Sequence, residues 1–143
     1  FVEEARHNRK RYGGAMRQAG IIAAGAVHAL ENNVQRLAED HDNARVLADL
    51  LLTVPGVRLI HPVQTNIVIA DVGDAGLTAA QVIELLRDEG VLCGSSGPTT
   101  VRFVTHLDVS PAAVRQAGEV AARTLCAAAA RGAGAPAGAT EST

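Results

Sequence analysis

The chain has no tryptophan, one tyrosine and two phenylalanines among its 143 residues, so aromatic packing cannot fill its interior. Its core must be Leu, Val, Ile and Ala packed by helices. Thirteen basic and fifteen acidic residues nearly balance and are mixed along the sequence, which leaves no positive field for nucleic acid. The two cysteines, Cys93 and Cys126, form no CxxC pair. They exclude a metal site and read as reduced, packed thiols of a cytoplasmic protein. No apolar run with a small-residue cleavage site stands in the charged residues 1–12, and the apolar stretch 19–30 is too short to span a bilayer. Neither a signal peptide nor a membrane partner is expected. Phe1 in place of an initiator Met fits a chain that starts inside a longer protein.

What is present is a clear order of helix and strand signals. Residues 2–11 carry acids first and bases last, the order that suits a helix dipole, and Tyr12-Gly13-Gly14 ends them. Residues 15–30 are apolar almost all round, so the pattern predicts a long helix buried on more than one side, against a partner body. From 31 to 52 apolar residues recur at three and four, predicting an amphipathic helix that Pro55-Gly56 stops. Strands are expected at 57–60, 66–72, 91–93 and 101–104, and helices at 79–89, capped by Thr78, and from Pro111 to about 130, capped by Ser110. The expected fold class is α/β: a long buried helix, then a small sandwich of about four strands with helices on one face. Residues 131–143, small, polar and Gly/Pro-interrupted, read as a disordered tail.

The stretch GPTTVRFVTHLDVS at 97–110 carries the sharpest chemical signal. Alternation puts Val101 and Phe103 on one face of a strand and Arg102 with Val104 on the other. A guanidinium beside apolar neighbours is explained by an anionic guest, for which a small carboxylate is the natural choice. An edge-strand charge that discourages sheet pairing, or a partner for an internal acid, is the commoner explanation from the pattern alone. Gly13-Gly14 with Lys10 and Arg17 offers a phosphate cradle or a plain basic hinge, and the order of a P-loop or a dinucleotide fingerprint is absent. Among the histidines, His106 lies two residues from Asp108, as in a catalytic dyad or a loop-fixing pair. No nucleophile stands beside it, and no catalytic residue is assigned.

Four blocks, RKRYGGAMRQAG at 9–20, ALENNVQRLAEDHDNAR at 29–45, PVQTNIVIADV at 62–72 and VRFVTHLDVS at 101–110, together resemble the C-terminal part of low-specificity L-threonine aldolases. The resemblance implies the small domain of a fold type I pyridoxal-phosphate enzyme. Residues 1–30 would be connector and interdomain helices belonging to a large domain, and 31–130 the small domain. It implies that Arg102 grips the substrate's α-carboxylate, and that Lys10 and Arg17 approach the cofactor phosphate or substrate of a neighbouring subunit. Ala15 replaces the third glycine usual at that turn. The implied cofactor is pyridoxal 5'-phosphate, the substrate a small β-hydroxy amino acid, the products glycine and an aldehyde, and the assembly a homo-oligomer. The attachment lysine of such enzymes lies upstream of the segment matching residues 1–12, and Lys10 is the only lysine here. The chain alone is therefore expected to be inactive. A non-catalytic carboxylate-binding or dimerisation module, and part of a related β-eliminating lyase, are the competing expectations.

Overall fold

A computed structural model describes residues 1–133, which form two compact units, Phe1–Arg36 and the residues from Leu37 on. The first unit holds two helices, α1 (Val2–Arg11) and α2 (Gly20–Asn32). Glu3 and Glu4 stand in the first turn of α1 and Arg9, Lys10 and Arg11 in its last, each charge matching its end of the helix dipole. Gly13, at φ +76°, takes the left-handed conformation that ends the helix.

Two expectations for this region are corrected. The second helix begins at Gly20 and not at residue 15, with turns over 17–19, and within its own unit none of its residues is buried. A unit of two helices has too little surface of its own to enclose it. The predicted continuous helix over 31–52 is interrupted at 33–36 and resumes at Leu37. Asn32 and Asn33 stand at the break, and asparagine competes with helical hydrogen bonding through its side chain.

The second unit runs α3 (Leu37–Leu51), β1 (Arg58–Leu59), β2 (Ile67–Asp71), a short 3-10 turn (Gly73–Ala75), α4 (Ala79–Asp88), β3 (Gly94–Ser95), β4 (Thr100–Val104) and α5 (Pro111–Ala133). The strands form one antiparallel sheet in the order β1-β2-β4-β3. Val68 and Ala70 of β2 and Val101 and Phe103 of β4 share a core with Leu47 and Leu51 of α3, Val82 and Leu86 of α4, and Leu125 of α5. The helices thus cover one face of the sheet, and the mixed α/β class read from the sequence is the one observed. Gly118 lets α5 approach α3, since a Cβ there would stand 2.5 Å from Leu50 Cδ1.

Local signals positioned these elements well. Thr78 caps α4 in a reciprocal capping box with Gln81, whose side chain accepts the Thr78 N–H at 2.9 Å. The Ser110 hydroxyl accepts the Ala113 N–H at 3.2 Å and opens α5. The third strand is the exception: residues 91–93 are unpaired and the bridge falls on Gly94 and Ser95. Gly90, at φ +78°, closes α4, and the Val91 N–H donates back to the Leu86 carbonyl at 2.8 Å. That bond ties Val91 to the helix end instead of to β4. Cys93 is half-buried but Cys126 is exposed, so only one of the two thiols is packed. Residues 131–133 continue α5, and the rest of the predicted tail lies outside the described residues. No helix among the described residues is long and apolar enough to cross a membrane.

Candidate functional site

The face of the sheet opposite the helices carries the residues that alternate out of the core. In register these are Ile67 against Val104, Ile69 against Arg102 and Asp71 against Thr100. On the other side of β4, Gly94 stands opposite Arg102. Since β4 lies between β2 and β3, Arg102 is not on an edge strand, and protection of an edge does not explain it. Nor does an internal acid. Among the described residues its exposed side chain has no ion pair or hydrogen bond.

The surroundings of that guanidinium leave room for a guest. A Cβ built on Gly94 would meet nothing within 4 Å, so the strand flanking Arg102 presents open space where a side chain would otherwise stand. Ile67 and Val104 remain 41% and 46% exposed beside it. A planar donor fork on an apolar ledge suits a small organic acid, whose carboxylate accepts two parallel hydrogen bonds while its carbon skeleton covers the ledge.

A second charged group on the same face escaped the sequence reading. Arg58 of β1 pairs in register with Asp71 of β2. The Arg58 Nη2 donates to Asp71 Oδ2 at 2.5 Å, and the Gly73 N–H donates to Asp71 Oδ1 at 2.8 Å. Asp71 is 9% exposed. The Gly73 N–H holds its carboxyl below the ordinary aspartate value, helped by the Thr99 hydroxyl and the Arg58 charge against the opposing cost of burial. Arg58 also lies 3.7 Å from Asp74. The available signal was a pair of opposite charges inside two otherwise apolar strands, but only the antiparallel register makes them partners.

Lys10 and Arg17 lie in the first unit, Lys10 in the last turn of α1 and Arg17 in the turn before α2. Neither side chain has an internal acidic partner among the described residues. Of the two readings offered for the diglycine, a cradle of free N–H groups is not formed. Gly13 donates to the Lys10 carbonyl at 3.3 Å and Gly14 to the Arg9 carbonyl at 2.8 Å, so both bonds close α1. A shallow recess of about 240 Å³ on α1 is lined by His7, Lys10 and Arg11 and does not include Arg17.

His106 lines a cleft of about 360 Å³ together with Leu47, Val91, Phe103 and Val114, and Arg102 is not part of its lining. Its Nδ1 stands 3.6 Å from Asp108 Oδ2 and accepts the Asp108 N–H at 3.3 Å, a local arrangement that fixes the loop. The one hydroxyl lining this cleft, on Thr105, donates to the Asp40 carbonyl at 2.7 Å. It is committed to joining the sheet to α3. The turn between β3 and β4 is likewise structural, with the Ser96 N–H donating to the Thr100 carbonyl at 3.0 Å.

Comparison with known proteins shows the family and the fold. The chain is 43% identical over 122 residues to the low specificity L-threonine aldolase of Escherichia coli K12, covering 85% of this chain and 34% of that protein. It is 35% identical over 112 residues to low-specificity L-threonine aldolase 1 of Arabidopsis thaliana, covering 77% and 31%. The chain thus spans about a third of the length of these relatives. Its fold matches a solved structure of MppP soaked with the product 2-ketoarginine, with TM-score 0.57 and 21% identity, over 68% of this chain and 30% of that one. The resemblance carried by the four sequence blocks therefore holds over most of the chain. Residues 1–75, more than half of the 143, also match the model of one family, and on that match this chain belongs to the beta-eliminating lyases.

Proposed function

We propose that this chain forms the substrate-carboxylate side of a pyridoxal-phosphate-dependent aldehyde lyase. Its substrate would be a small β-hydroxy-α-amino acid such as L-threonine or allo-threonine, cleaved to glycine and an aldehyde. The observation that carries this reading is Arg102, charged, without a partner among the described residues and facing open space across Gly94. Its two parallel N–H donors bind the α-carboxylate and fix the amino acid about its Cα, so that the Cα–Cβ bond is held in one orientation. Ile67 and Val104 keep water from the flank of that ion pair.

The residues present fit the cofactor's phosphate through side-chain charge, since the glycine N–H groups are already engaged. Lys10 and Arg17 would hold it, two cations without acidic partners among the described residues. When bound, pyridoxal phosphate supplies the electron sink for breaking the Cα–Cβ bond. Lys10, the only lysine, is assigned to the phosphate and not to cofactor attachment, so the isolated chain is expected to give no turnover. In the same reading residues 1–30 pack with a larger domain, 31–130 form the small one, and the assembled enzyme is a cytoplasmic homo-oligomer. The exposed apolar surface of α2 supports the first of these points.

The test is a chimera in which residues 1–128 replace the matching third of the Escherichia coli relative. Acetaldehyde release from threonine is expected. Arg102→Leu should raise KM for threonine about a hundredfold, the loss expected for two charge-assisted hydrogen bonds. An unchanged KM would overturn the assignment of Arg102. The family match favours β-elimination as a second reading, and the same assay separates the two, because elimination releases ammonia and a keto acid in place of glycine and aldehyde.

A further inference from the structure

The open sheet face holds an acid within reach of Arg102. Ile69 stands opposite Arg102 and Asp71 opposite Thr100, so Asp71 is the diagonal neighbour of Arg102 on the same face. Diagonal pairs lie about 7–8 Å apart and are bridged by long side chains. A shielded carboxylate at that distance would ordinarily capture the guanidinium. In this structure it does not: Oδ2 accepts from Arg58 and Oδ1 from the Gly73 N–H.

We propose that Arg58 is a positioning residue, which occupies Asp71 and so leaves Arg102 free for a carboxylate ligand. The inference rests on the reading of Arg102 as a carboxylate dock, and it deepens it: the site works because a second arginine satisfies the competing acid. Arg58 acts through Asp71 and touches no ligand. Its geometry suits the role, since it approaches from β1, on the far side of Asp71 from β4, and reaches Asp74 as well. Without Arg58, Arg102 swings along the sheet face to Asp71 and the dock closes on itself.

A merely structural tie between β1 and β2 predicts differently. If Arg58 only joins the strands, removing Asp71 as well restores nothing. If it holds Asp71 away from Arg102, neutralising Asp71 frees Arg102 again. The experiment follows the Arg102 Nε–Hε signal by NMR in the ¹⁵N-labelled 143-residue chain, with acetate as the probe. In the parent, acetate should shift that signal saturably, and the proton should exchange rapidly with water. In Arg58→Gln, acetate binding should weaken and exchange should slow, each about threefold, the range of a partly exposed ion pair. In Arg58→Gln/Asp71→Asn both should return to parental values. An Arg58→Gln chain that behaves as the parent, or a double variant that stays impaired, overturns the proposal. If acetate leaves the parental signal unmoved, the carboxylate dock fails, while the exchange rates still decide the role of Arg58. Should Arg58→Gln not fold, Arg58→His provides a titratable competitor, with an ordinary pKa of about 6.5. Arg102 exchange should then match the parent at acid pH and be slower than the parent above neutrality, and no such divergence would refute the proposal.

Discussion

Helices α2 and α4 make an instructive pair. The first is the most apolar of the five helices, yet buries none of its residues. The second is about half polar and buries Ala79, Val82 and Leu86 completely enough to anchor the sheet's core. The difference lies in arrangement. In α4 the apolar residues form one stripe with a sheet beneath it, while in α2 they run round the whole circumference and the two-helix unit supplies no second layer. Hydrophobic content alone therefore does not make a core; a complementary surface does.

The sharpest way to break this comparison is to truncate one side chain in each helix. Leu86→Ala should destabilise the second unit by about 2–5 kcal/mol, seen as a lower urea midpoint, because it opens a cavity in a closed core. Ile22→Ala in α2 should change stability by less than about 0.5 kcal/mol. Similar losses at both sites would mean that α2 is packed in solution.

A smaller effect distinguishes two glycines of the same conformation, one in each unit. Gly56 (φ +80°) and Gly13 (φ +76°) are both left-handed, but only at Gly56 would a Cβ strike backbone, 2.5 Å from the Ala75 nitrogen. Gly56→Ala should cost roughly 3 kcal/mol and Gly13→Ala about 1 kcal/mol or less, measured by thermal unfolding. Equal costs would show that the close approach of the 73–76 turn is not maintained.

The mildest contrast is in acid. Asp71 has its pKa lowered in the fold, chiefly by the Gly73 N–H, so its contribution is complete above the ordinary value of 3.8 and is lost as pH falls through that value and the folded pKa. The urea midpoint of the second unit should decline as the pH falls below about 5. Asp71→Asn should flatten that decline while lowering the midpoint at pH 7. An unchanged slope would show that Asp71 does not couple folding to protonation.

How far each part could be read in advance follows from the range of the interactions that set it. Caps act within one turn, so Thr78 and Ser110 marked the starts of α4 and α5 correctly. Alternation acts within one strand, so Val101 and Phe103 were placed on one face and Arg102 on the other, as observed. The third strand was misplaced because a single hydrogen bond from Val91 to Leu86 competed with pairing, and no local pattern announces such a competition. For a similar reason the pattern left the diglycine open between cradle and hinge, and its N–H groups serve the carbonyls of the preceding helix.

By itself the sequence determined the order of helices and strands, the division of β4 into two faces, and the kinship carried by four ordered blocks, because these depend on neighbours along the chain. Only the tertiary structure decided that Arg102 sits on an interior strand opposite a glycine, and that Asp71 is already claimed by Arg58. Both facts arise from register between strands distant in sequence, and a strand's own residues encode which way a side chain points but not what it will stand beside.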